Sequence, residues 1–369
     1  MKIAFDLRRI ENAGVGRYMR CIVSSVLEIA PHNEYVFIMA PGTEQFFPPH
    51  SQVTVVTTRA KYYSFAEQYV LPRILKQYKV DILHAMHFVV PVFKVCPTIV
   101  TIHDTIHLVY PQDIDSRLGR IYSRWMLKIA ARVSDKIVTV SEFSKSDICR
   151  YLGVHPDRVC VTQLGAEKQF ERIEDHKRLQ AVRDRYGISD RYILYTGIYK
   201  QRKNHDALLK AISQLKEDGI KIQLVIAGNL KEGKIILQEM ARTLNLESQL
   251  VLTGFVAEED LPALYSAACA YVCPSLYEGF GLTLLEAMSC GIPVIAHKGT
   301  SLPEVCGEAA VYVDASIPSE LASAIRTVVK NAQIQQQLVE KGYRNLERFS
   351  FEQAAHRTLN MYDELTKNS

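Results

Sequence analysis

Residues 273–297, with the sequence CPSLYEGFGLTLLEAMSCGIPVIAH, decide how the rest of the chain is interpreted. The apolar runs and glycines here predict a short buried strand over Ala270–Ser275, a turn over Tyr277–Gly281, a helix over Leu282–Cys290 and a strand over Pro293–Ala296. This order of elements is typical of a parallel α/β sheet.

Two carboxylates, Glu278 and Glu286, stand eight positions apart in this stretch, which is about 12 Å if the rise is helical throughout. The helix start and the glycines at 279 and 281 favour an anion such as a diphosphate near residues 280–282. Carboxylates accept hydrogen bonds from hydroxyls, so a diphosphate with a hydroxylated ring at each end fits the spacing. Two glutamates at this spacing, taken alone, are more often a solvated loop residue and a surface residue of an ordinary amphipathic helix.

The pattern PSxxEGFGLxxxEAMxxGxPVIA closely resembles the signature of retaining glycosyltransferases with the GT-B fold, in the group one or family four class. In that class a Glu-x7-Glu pair lies at the donor site, and Glu278 and Glu286 match it. The resemblance implies an α/β fold with two doubly wound Rossmann-like domains facing a central cleft. It also implies transfer of a sugar from a nucleotide-diphosphate sugar to an acceptor hydroxyl, with retention.

The chain length of 369 residues fits two domains of ordinary size. We predict an N-terminal acceptor-binding domain over 1–167, a C-terminal nucleotide-sugar-binding domain over 168–348, and a final helix in 349–369 that crosses back to the first domain. No apolar run approaches the roughly 20 residues that span a bilayer, and the charged beginning of the chain is unlike a secretory leader. These features predict a cytoplasmic protein.

The eight cysteines are scattered, without CxxC or metal-ligand spacing, and we interpret them as reduced packing residues. The net charge of +4 gives no indication of a nucleic-acid partner. No DxD-type pair follows a predicted strand, so we expect neither a metal site nor a cofactor.

Alternating apolar runs and helical patterns predict parallel sheets in both domains. The strands predicted for the first domain are Lys2–Leu7, Tyr35–Ala40, Val53–Thr58, Ile82–Met86, Thr98–His103, Lys136–Ser141 and Val159–Gln163. Those predicted for the second are Tyr192–Gly197, Ile222–Gly228, Leu250–Phe255, Ala270–Ser275, Pro293–Ala296 and Ala310–Val313.

In the first domain, a loop containing Gly14 and Gly16 precedes a helical pattern over Val15–Ile29. The sequence GVGRYM lacks the last glycine of a dinucleotide fingerprint. The resemblance implies that Gly14, Gly16 and Arg17 help to hold phosphate. It also implies that His103, followed by Asp104 at a strand end, faces the transferred sugar and the acceptor, although a lone histidine is more often structural.

In the second domain, the segment GIYKQRKN follows a strand and precedes a helix. Cations beside a helix start neutralise diphosphate well, and the alternative is a solvated basic loop. The resemblance implies the catalytic residues His103, Glu278, Arg202 and Lys203. The donor-binding residues that it implies are Gly14, Gly16, Arg17, Gly197, Arg202, Lys203, Gly254, Phe255, Val256, Glu278, Gly279, Phe280, Gly281, Leu282, Thr283 and Glu286.

Basic residues alternate with aromatic ones in two predicted helical stretches, 61–79 and 117–136. Helices on an anionic membrane surface have this composition, and so do ordinary surface helices, so both interpretations stay open. The membrane interpretation places the protein peripherally on the inner face of the membrane.

We expect the donor to be a UDP- or GDP-sugar and the acceptor to be a saccharide or lipid-linked saccharide in polysaccharide or glycolipid assembly. Two other functions remain open at this point. One is a GT-B epimerase or phosphorylase-type enzyme, and the other is a non-catalytic sugar-nucleotide-binding subunit.

Overall fold

The chain divides into two compact units. Unit 1 comprises Met1–Leu164 with Ser350–Ser369, and unit 2 comprises Gly165–Phe349. The boundaries predicted from the sequence, after residues 167 and 348, lie next to these limits. The structure, a computed structural model, describes residues 1–114, 116–231 and 233–367.

Unit 1 is built on a seven-stranded parallel sheet. Its strands are β1 (Lys2–Asp6), β2 (Glu34–Met39), β3 (Val53–Thr57), β4 (Ile82–Ala85), β5 (Thr98–Thr101), β6 (Lys136–Thr139) and β7 (Val159–Val161). They lie in the order β3-β2-β1-β4-β5-β6-β7. Every residue of β4 and β5 is buried, because helices cover both faces of a doubly wound sheet.

Unit 2 is built on a six-stranded parallel sheet. Its strands are β8 (Tyr192–Thr196), β9 (Gln223–Ala227), β10 (Leu250–Gly254), β11 (Ala270–Cys273), β12 (Val294–His297) and β13 (Ala310–Val313). They lie in the order β10-β9-β8-β11-β12-β13. The predicted α/β class with two doubly wound sheets is therefore confirmed.

Helices alternate with the strands along the described chain. In chain order they are α1 (Ala13–Ile29), α2 (Glu67–Gln77), α3 (Ile106–Val109), α4 (Arg117–Val133), α5 (Glu142–Leu152), α6 (His176–Tyr186), α7 (His205–Glu217), α8 (Gly233–Thr243), α9 (Leu261–Ser266), α10 (Leu282–Ser289), α11 (Leu302–Cys306), α12 (Pro318–Lys330), α13 (Ala332–Leu346) and α14 (Phe351–Lys367). Among the described residues, none of these helices combines the length and the apolar composition needed to span a membrane.

One predicted helix is shorter than the sequence indicated. The basic-aromatic pattern predicts a helix over 61–79, whereas α2 begins only at Glu67. Upstream, Tyr63 has a left-handed backbone with φ of 62°, and the Ser64 hydroxyl donates to the Lys61 carbonyl oxygen at 2.6 Å. A side-chain hydrogen bond of this kind stabilises a turn at the expense of the helix.

In each sheet the order of the strands reverses at one switch point. In unit 1, β1 is bordered by β2 on one side and β4 on the other; in unit 2, β8 is bordered by β9 and β11. Ligands of open α/β sheets bind beyond the carboxyl ends of the strands at such switch points. The two places where a ligand is expected are therefore the ends of β1 and β4, and the ends of β8 and β11.

Helix α14 belongs to unit 1, although it follows unit 2 in the sequence. Its Tyr362 is fully buried, and the phenol oxygen lies 2.6 Å from Nδ1 of His84 on β4. The other imidazole nitrogen of His84 lies 2.8 Å from the Thr101 hydroxyl on β5. This buried network ties the end of the chain to the middle of the first sheet.

Candidate active site

The switch point of unit 2 carries three of the four residues predicted to act in catalysis. Arg202 and Lys203 lie in a 3-10 turn just after β8, and Glu278 lies five residues beyond the end of β11. The Leu276 amide donates to the Arg202 carbonyl oxygen at 2.8 Å, which ties the two strand ends together. Asn204, with a left-handed φ of 58°, ends the turn and donates from Nδ2 to the Ala315 carbonyl oxygen at 2.6 Å.

These three side chains form one charged cluster. The Lys203 ammonium pairs directly with Oε1 of Glu278, and Nη1 of Arg202 lies 3.8 Å from Oε2. Arg202 also donates to the Tyr277 carbonyl oxygen at 3.1 Å. The side chains are only 12%, 15% and 17% exposed for Arg202, Lys203 and Glu278, so solvent screens these contacts weakly.

The charge state of Glu278 follows from two opposed effects. Burial by itself raises the pKa of the carboxyl, but the positive charges of Lys203 and Arg202 outweigh it and leave the pKa below its ordinary value. Glu278 is therefore a carboxylate that pairs with two cations, and the cluster keeps a net charge of +1. An incoming diphosphate can take over those cations, which frees the carboxylate to accept hydrogen bonds from hydroxyls.

The loop after Glu278 is shaped for close approach to the backbone. Gly281 has a φ of 105°, a left-handed value that favours glycine, and it is the N-cap of α10. The Ser301 hydroxyl lies 2.9 Å from the carbonyl oxygens of both Glu278 and Phe280 and so fixes the turn. The predicted helix is confirmed, and its first amides, at Leu282 and Thr283, lack i−4 partners within the helix.

Glu286 lies inside α10 and is 3% exposed. It accepts a hydrogen bond from the Tyr265 hydroxyl at 2.8 Å. Burial, and then the negative charge of Glu286, raise the pKa of Tyr265 well above its ordinary value, so the phenol keeps its proton. Glu286 is thus a buried and positioned carboxylate, which contradicts the alternative of a surface residue on an amphipathic helix.

Tyr265 also joins Glu286 to the end of β8. The hydroxyl of Thr196, the last residue of that strand, lies 2.8 Å from the Tyr265 hydroxyl and 3.2 Å from the Tyr271 hydroxyl. Sequence reasoning missed this network, because Thr196 and Tyr265 carry no motif and meet only through the sheet order. The signal in the sequence is the pair Tyr265 and Tyr271, which lie just before and within the predicted strand over Ala270–Ser275.

His103 lies in unit 1, two residues beyond the end of β5. Its Nε2 is 3.3 Å from the Met86 carbonyl oxygen, and its ring packs edge-on against Tyr18 with centroids 4.6 Å apart. Burial lowers the pKa of His103, although Asp104 and the Met86 carbonyl oppose the effect. Asp104 itself accepts a hydrogen bond from the Ile106 amide at 3.0 Å, at the start of α3.

Comparison with known proteins assigns this chain to a family. Residues 181–345 match the family model described as glycosyl transferases group 1, and residues 13–169 match that of glycosyltransferase family 4. The O-antigen chain mannosyltransferase B of Escherichia coli is 31% identical over 289 residues, which cover 78% of this chain and 75% of that protein. The chain belongs to the group 1 glycosyltransferases.

Other matches agree with this assignment. The serotype-specific mannosyltransferase WbdA of Escherichia coli is 31% identical over 248 residues, which cover 64% of this chain but only 29% of WbdA. The structure of HepE from Anabaena, solved with UDP and glucose, superposes with a TM-score of 0.80 at 19% identity over 99% of this chain and all of HepE. WaaG, a glycosyltransferase of lipopolysaccharide biosynthesis, superposes with a TM-score of 0.76 at 17% identity, again over 99% and 100%. The predicted GT-B fold is therefore confirmed.

In this group 1 glycosyltransferase, the predicted donor-binding residues Gly197 and Gly254 lie at the ends of β8 and β10, which flank β9 in the sheet of unit 2. The Gly197 amide donates to the Ala227 carbonyl oxygen at 2.8 Å, and the Gly228 amide donates to that of Gly254 at 2.9 Å. Phe255 is 79% exposed, whereas Val256 is buried. The Phe255 side chain, and not that of Val256, is accessible to a ligand; their part in donor binding stays a prediction.

The prediction that Gly14 and Gly16 lie in a loop is wrong. Helix α1 begins at Ala13, so both glycines and Arg17 lie in its first two turns. A Cβ atom at Gly16 would overlap the carbonyl oxygen of Ile10, whereas one at Gly14 would have no atom within 4 Å. Gly16 is thus required for close packing of the helix on the preceding loop, and the phosphate-binding role of these residues stays a prediction.

Replacing each of these two glycines with alanine should change the free energy of unfolding in opposite directions. Gly16→Ala forces a methyl group into backbone and should lower the free energy of unfolding by about 2 kcal/mol or more. Gly14→Ala gains helix propensity in open space and should raise it by up to about 1 kcal/mol. Urea denaturation of the two variants measures both changes. Equal destabilisation by the two substitutions would contradict the packing role of Gly16.

Proposed function

We propose that this glycosyltransferase moves a sugar from a nucleotide-diphosphate sugar to an acceptor hydroxyl with retention of configuration. The observation that carries this proposal is the cluster of Arg202, Lys203 and Glu278 at the switch point of unit 2. It offers two cations for a diphosphate and one carboxylate for sugar hydroxyls within a single contact network. We assign the ribose hydroxyls to the buried carboxylate of Glu286.

The names of the relatives support a narrower proposal about the sugar. Both Escherichia coli relatives are mannosyltransferases, and one acts on the O-antigen chain. We therefore propose mannose as the transferred sugar, GDP-mannose as the first donor to test, and a growing polysaccharide or lipid-linked saccharide as the acceptor. UDP-sugars are the alternative donors.

The proposed mechanism follows from the atoms that gain negative charge during the transfer. As the bond to the anomeric carbon breaks, negative charge grows on the leaving phosphate, and fixed cations stabilise that charge most strongly. Arg202 and Lys203 supply the cations, and the start of α10 adds backbone amides. A phosphate oxygen can take the acceptor proton when the acceptor attacks from the leaving-group side, which retains the configuration. This route needs no histidine base, and the role of His103 toward the sugar stays a prediction from the resemblance.

We expect the reaction to proceed in EDTA, because Arg202 and Lys203 already provide positive charge at the diphosphate. A screen of GDP-, UDP- and ADP-sugars by thermal shift identifies the donor, since a ligand that binds only the folded state raises stability. NMR of the first product then reports the anomeric configuration. Inverted product, or activity that chelator abolishes and Mg²⁺ restores, would overturn the retaining, metal-independent mechanism.

We also propose that unit 1 binds an anionic membrane surface through α4. Leu118, Ile121 and Trp125 are 79%, 68% and 52% exposed and share one face of this helix. The helix contains no acidic residue. Beside this apolar face lie exposed cations, namely Arg117, Arg124, Lys128 and Arg132. An apolar stripe flanked by cations suits a bilayer with anionic headgroups.

One residue that the sequence suggested for this surface has a structural contact. Nε of Arg120 donates to the Ile114 carbonyl oxygen at 2.7 Å, and its side chain is half-buried. Replacing Arg120 would therefore disturb the turn before α4 as well as any contact with lipid. The exposed residues Arg124, Lys128 and Arg132 are better suited to a test.

Trp125 is the only tryptophan of the chain, so its fluorescence reports directly on this surface. We expect its emission to shift to the blue when vesicles containing phosphatidylglycerol are added, and not with pure phosphatidylcholine. Each cation contributes about 1 kcal/mol, so replacing Arg124, Lys128 and Arg132 with glutamine should weaken binding about a hundredfold.

The matched control replaces three exposed lysines of unit 2, Lys210, Lys221 and Lys234, with glutamine. This control has the same change in net charge and should bind vesicles as the wild type does. No shift of Trp125 emission with any vesicle would leave a soluble acceptor as the better proposal.

A further inference from the structure

The switch point of unit 1 contains a second histidine, His87, which lies two residues beyond the end of β4. It is 7% exposed, and within the described chain its Nδ1 is buried without a hydrogen-bond partner. Buried polar atoms are normally paired, and an exception requires an explanation. A bound molecule that supplies the missing partner is one such explanation.

Aromatic rings surround His87. The ring of Phe88 lies 4.2 Å away between centroids, that of Tyr62 at 5.9 Å and that of His103 at 6.2 Å. Tyr63 stacks on Phe88 at 5.8 Å, and its hydroxyl accepts a hydrogen bond from Arg9 at 3.0 Å. Flat apolar faces beside directed polar atoms suit a sugar ring, which has C–H faces and a rim of hydroxyls.

A buried ionic network contacts the aromatic rings beside His87. Arg8 donates two hydrogen bonds to Asp6, at 2.8 and 2.7 Å, and its guanidinium lies 4.4 Å from the centroid of the Tyr62 ring. Arg8 is also 3.2 Å from Glu67, which accepts a hydrogen bond from the Tyr122 hydroxyl at 2.7 Å. The Tyr62 ring is therefore positioned before any ligand arrives, which lowers the entropic cost of binding.

The two imidazoles offer complementary polar atoms. The Met86 carbonyl can only accept, so the contact at 3.3 Å places the proton of His103 on Nε2 and leaves a lone pair on Nδ1. Burial, and then the positive potentials of Arg9, His103 and His107, hold the pKa of His87 well below its ordinary value. His87 is thus a neutral imidazole with one donor and one acceptor nitrogen, which suits an uncharged hydroxyl better than an anion.

We propose that Nδ1 of His87 binds a hydroxyl of the acceptor saccharide, beside His103 and against the rings of Tyr62 and Phe88. This inference rests on the proposed glycosyl transfer, because it concerns the acceptor of that reaction. It makes His87 an acceptor-binding residue at the carboxyl end of β4.

Three substitutions separate hydrogen bonding from packing. His87→Phe keeps the ring and removes both nitrogens. His87→Asn keeps a polar atom near the position of Nδ1, and His87→Gln keeps one near the position of Nε2. The phenylalanine variant also removes an unpaired buried polar atom, so the melting temperature of the free enzyme should stay the same or rise.

The acceptor probes are the methyl α-glycosides of mannose, glucose, galactose and N-acetylglucosamine. Saturation-transfer NMR on the full chain, with the nucleoside diphosphate of the donor identified by thermal shift, measures their binding. Wild type should bind at least one glycoside. His87→Phe and His87→Gln should weaken that binding at least tenfold, whereas His87→Asn should retain most of it, and the donor dissociation constant should change less than twofold in all three.

An exposed histidine of the same unit, His155, supplies the control, and His155→Phe should behave as the wild type does. Unchanged glycoside binding in His87→Phe would overturn the proposal. So would equal losses in the asparagine and glutamine variants, a lower melting temperature with parallel loss of donor binding, or no glycoside binding by a wild-type enzyme that binds its donor. Failure of wild type to bind any sugar nucleotide would instead reject the proposed function.

Discussion

Replacing Lys203 with methionine should lower turnover at saturating donor by about a hundredfold or more, with a much smaller change in donor affinity. Methionine keeps most of the length of the side chain and removes the charge that pairs with Glu278 in the ligand-free site. In the Michaelis complex this charge faces a diphosphate that is already anionic, so some binding is lost. In the transition state the phosphate gains further charge, so more stabilisation is lost there.

Steady-state kinetics with varied donor separate kcat from the donor KM and so measure this difference. Lys210→Met serves as the control, because Lys210 is an exposed lysine on the neighbouring helix α7. A raised KM with unchanged kcat would show that Lys203 contributes uniform binding only. That result would reject the assignment of the leaving-group charge to the cation pair.

Glu278→Gln and Glu286→Gln should have different consequences for the affinity of the free nucleoside diphosphate. In the ligand-free site Glu278 competes with the diphosphate for Lys203 and Arg202, so its neutralisation should leave the affinity unchanged or increase it. Glu286 lies in the network of Tyr265 and Thr196, and we assign it to the ribose. Its replacement should weaken the nucleoside diphosphate and the sugar nucleotide alike, by about tenfold or more.

The turnover of the Glu278 variant adds to the comparison of the two glutamates. Glu278→Gln should lower it about a hundredfold, because the donor sugar loses a charged hydrogen-bond acceptor beside the reacting bond. Isothermal titration with the nucleoside diphosphate and with the sugar nucleotide measures the two affinities for each variant. Equal loss of both ligands in both variants would contradict the separate roles of the two glutamates.

The strand positions could be predicted from the sequence because parallel strands buried on both faces are continuous apolar runs. Predicted strand ends extend one or two residues beyond the observed ones in several cases, such as β5, which ends at Thr101. The Ile102 amide still donates to the Val138 carbonyl oxygen of β6 at 2.9 Å, whereas His103 lies beyond the strand. The boundary is set by hydrogen bonding to the neighbouring strand, which the pattern does not contain.

The helix boundaries were less predictable where local backbone contacts decide them. Gly14 and Gly16 predict a loop by composition, yet α1 starts at Ala13 because the second glycine lets the helix pack on the Ile10 carbonyl. The aromatic residues before α2 belong to a turn, which is stabilised by a side-chain hydrogen bond of Ser64. Both outcomes depend on contacts that are invisible to residue periodicity.

The sequence by itself determined the two doubly wound sheets, and through the spacing of Glu278 and Glu286 it predicted a donor site after β11. Only the tertiary structure decided that Glu278 pairs with Arg202 and Lys203, that Tyr265 joins Glu286 to Thr196, and that His87 has an unpaired nitrogen beside His103. The physical reason is that these partners lie on helices or strand ends that are distant from one another in the sequence. Their contacts arise where the strand order reverses, and strand order is a property of the folded sheet and not of any local stretch of sequence.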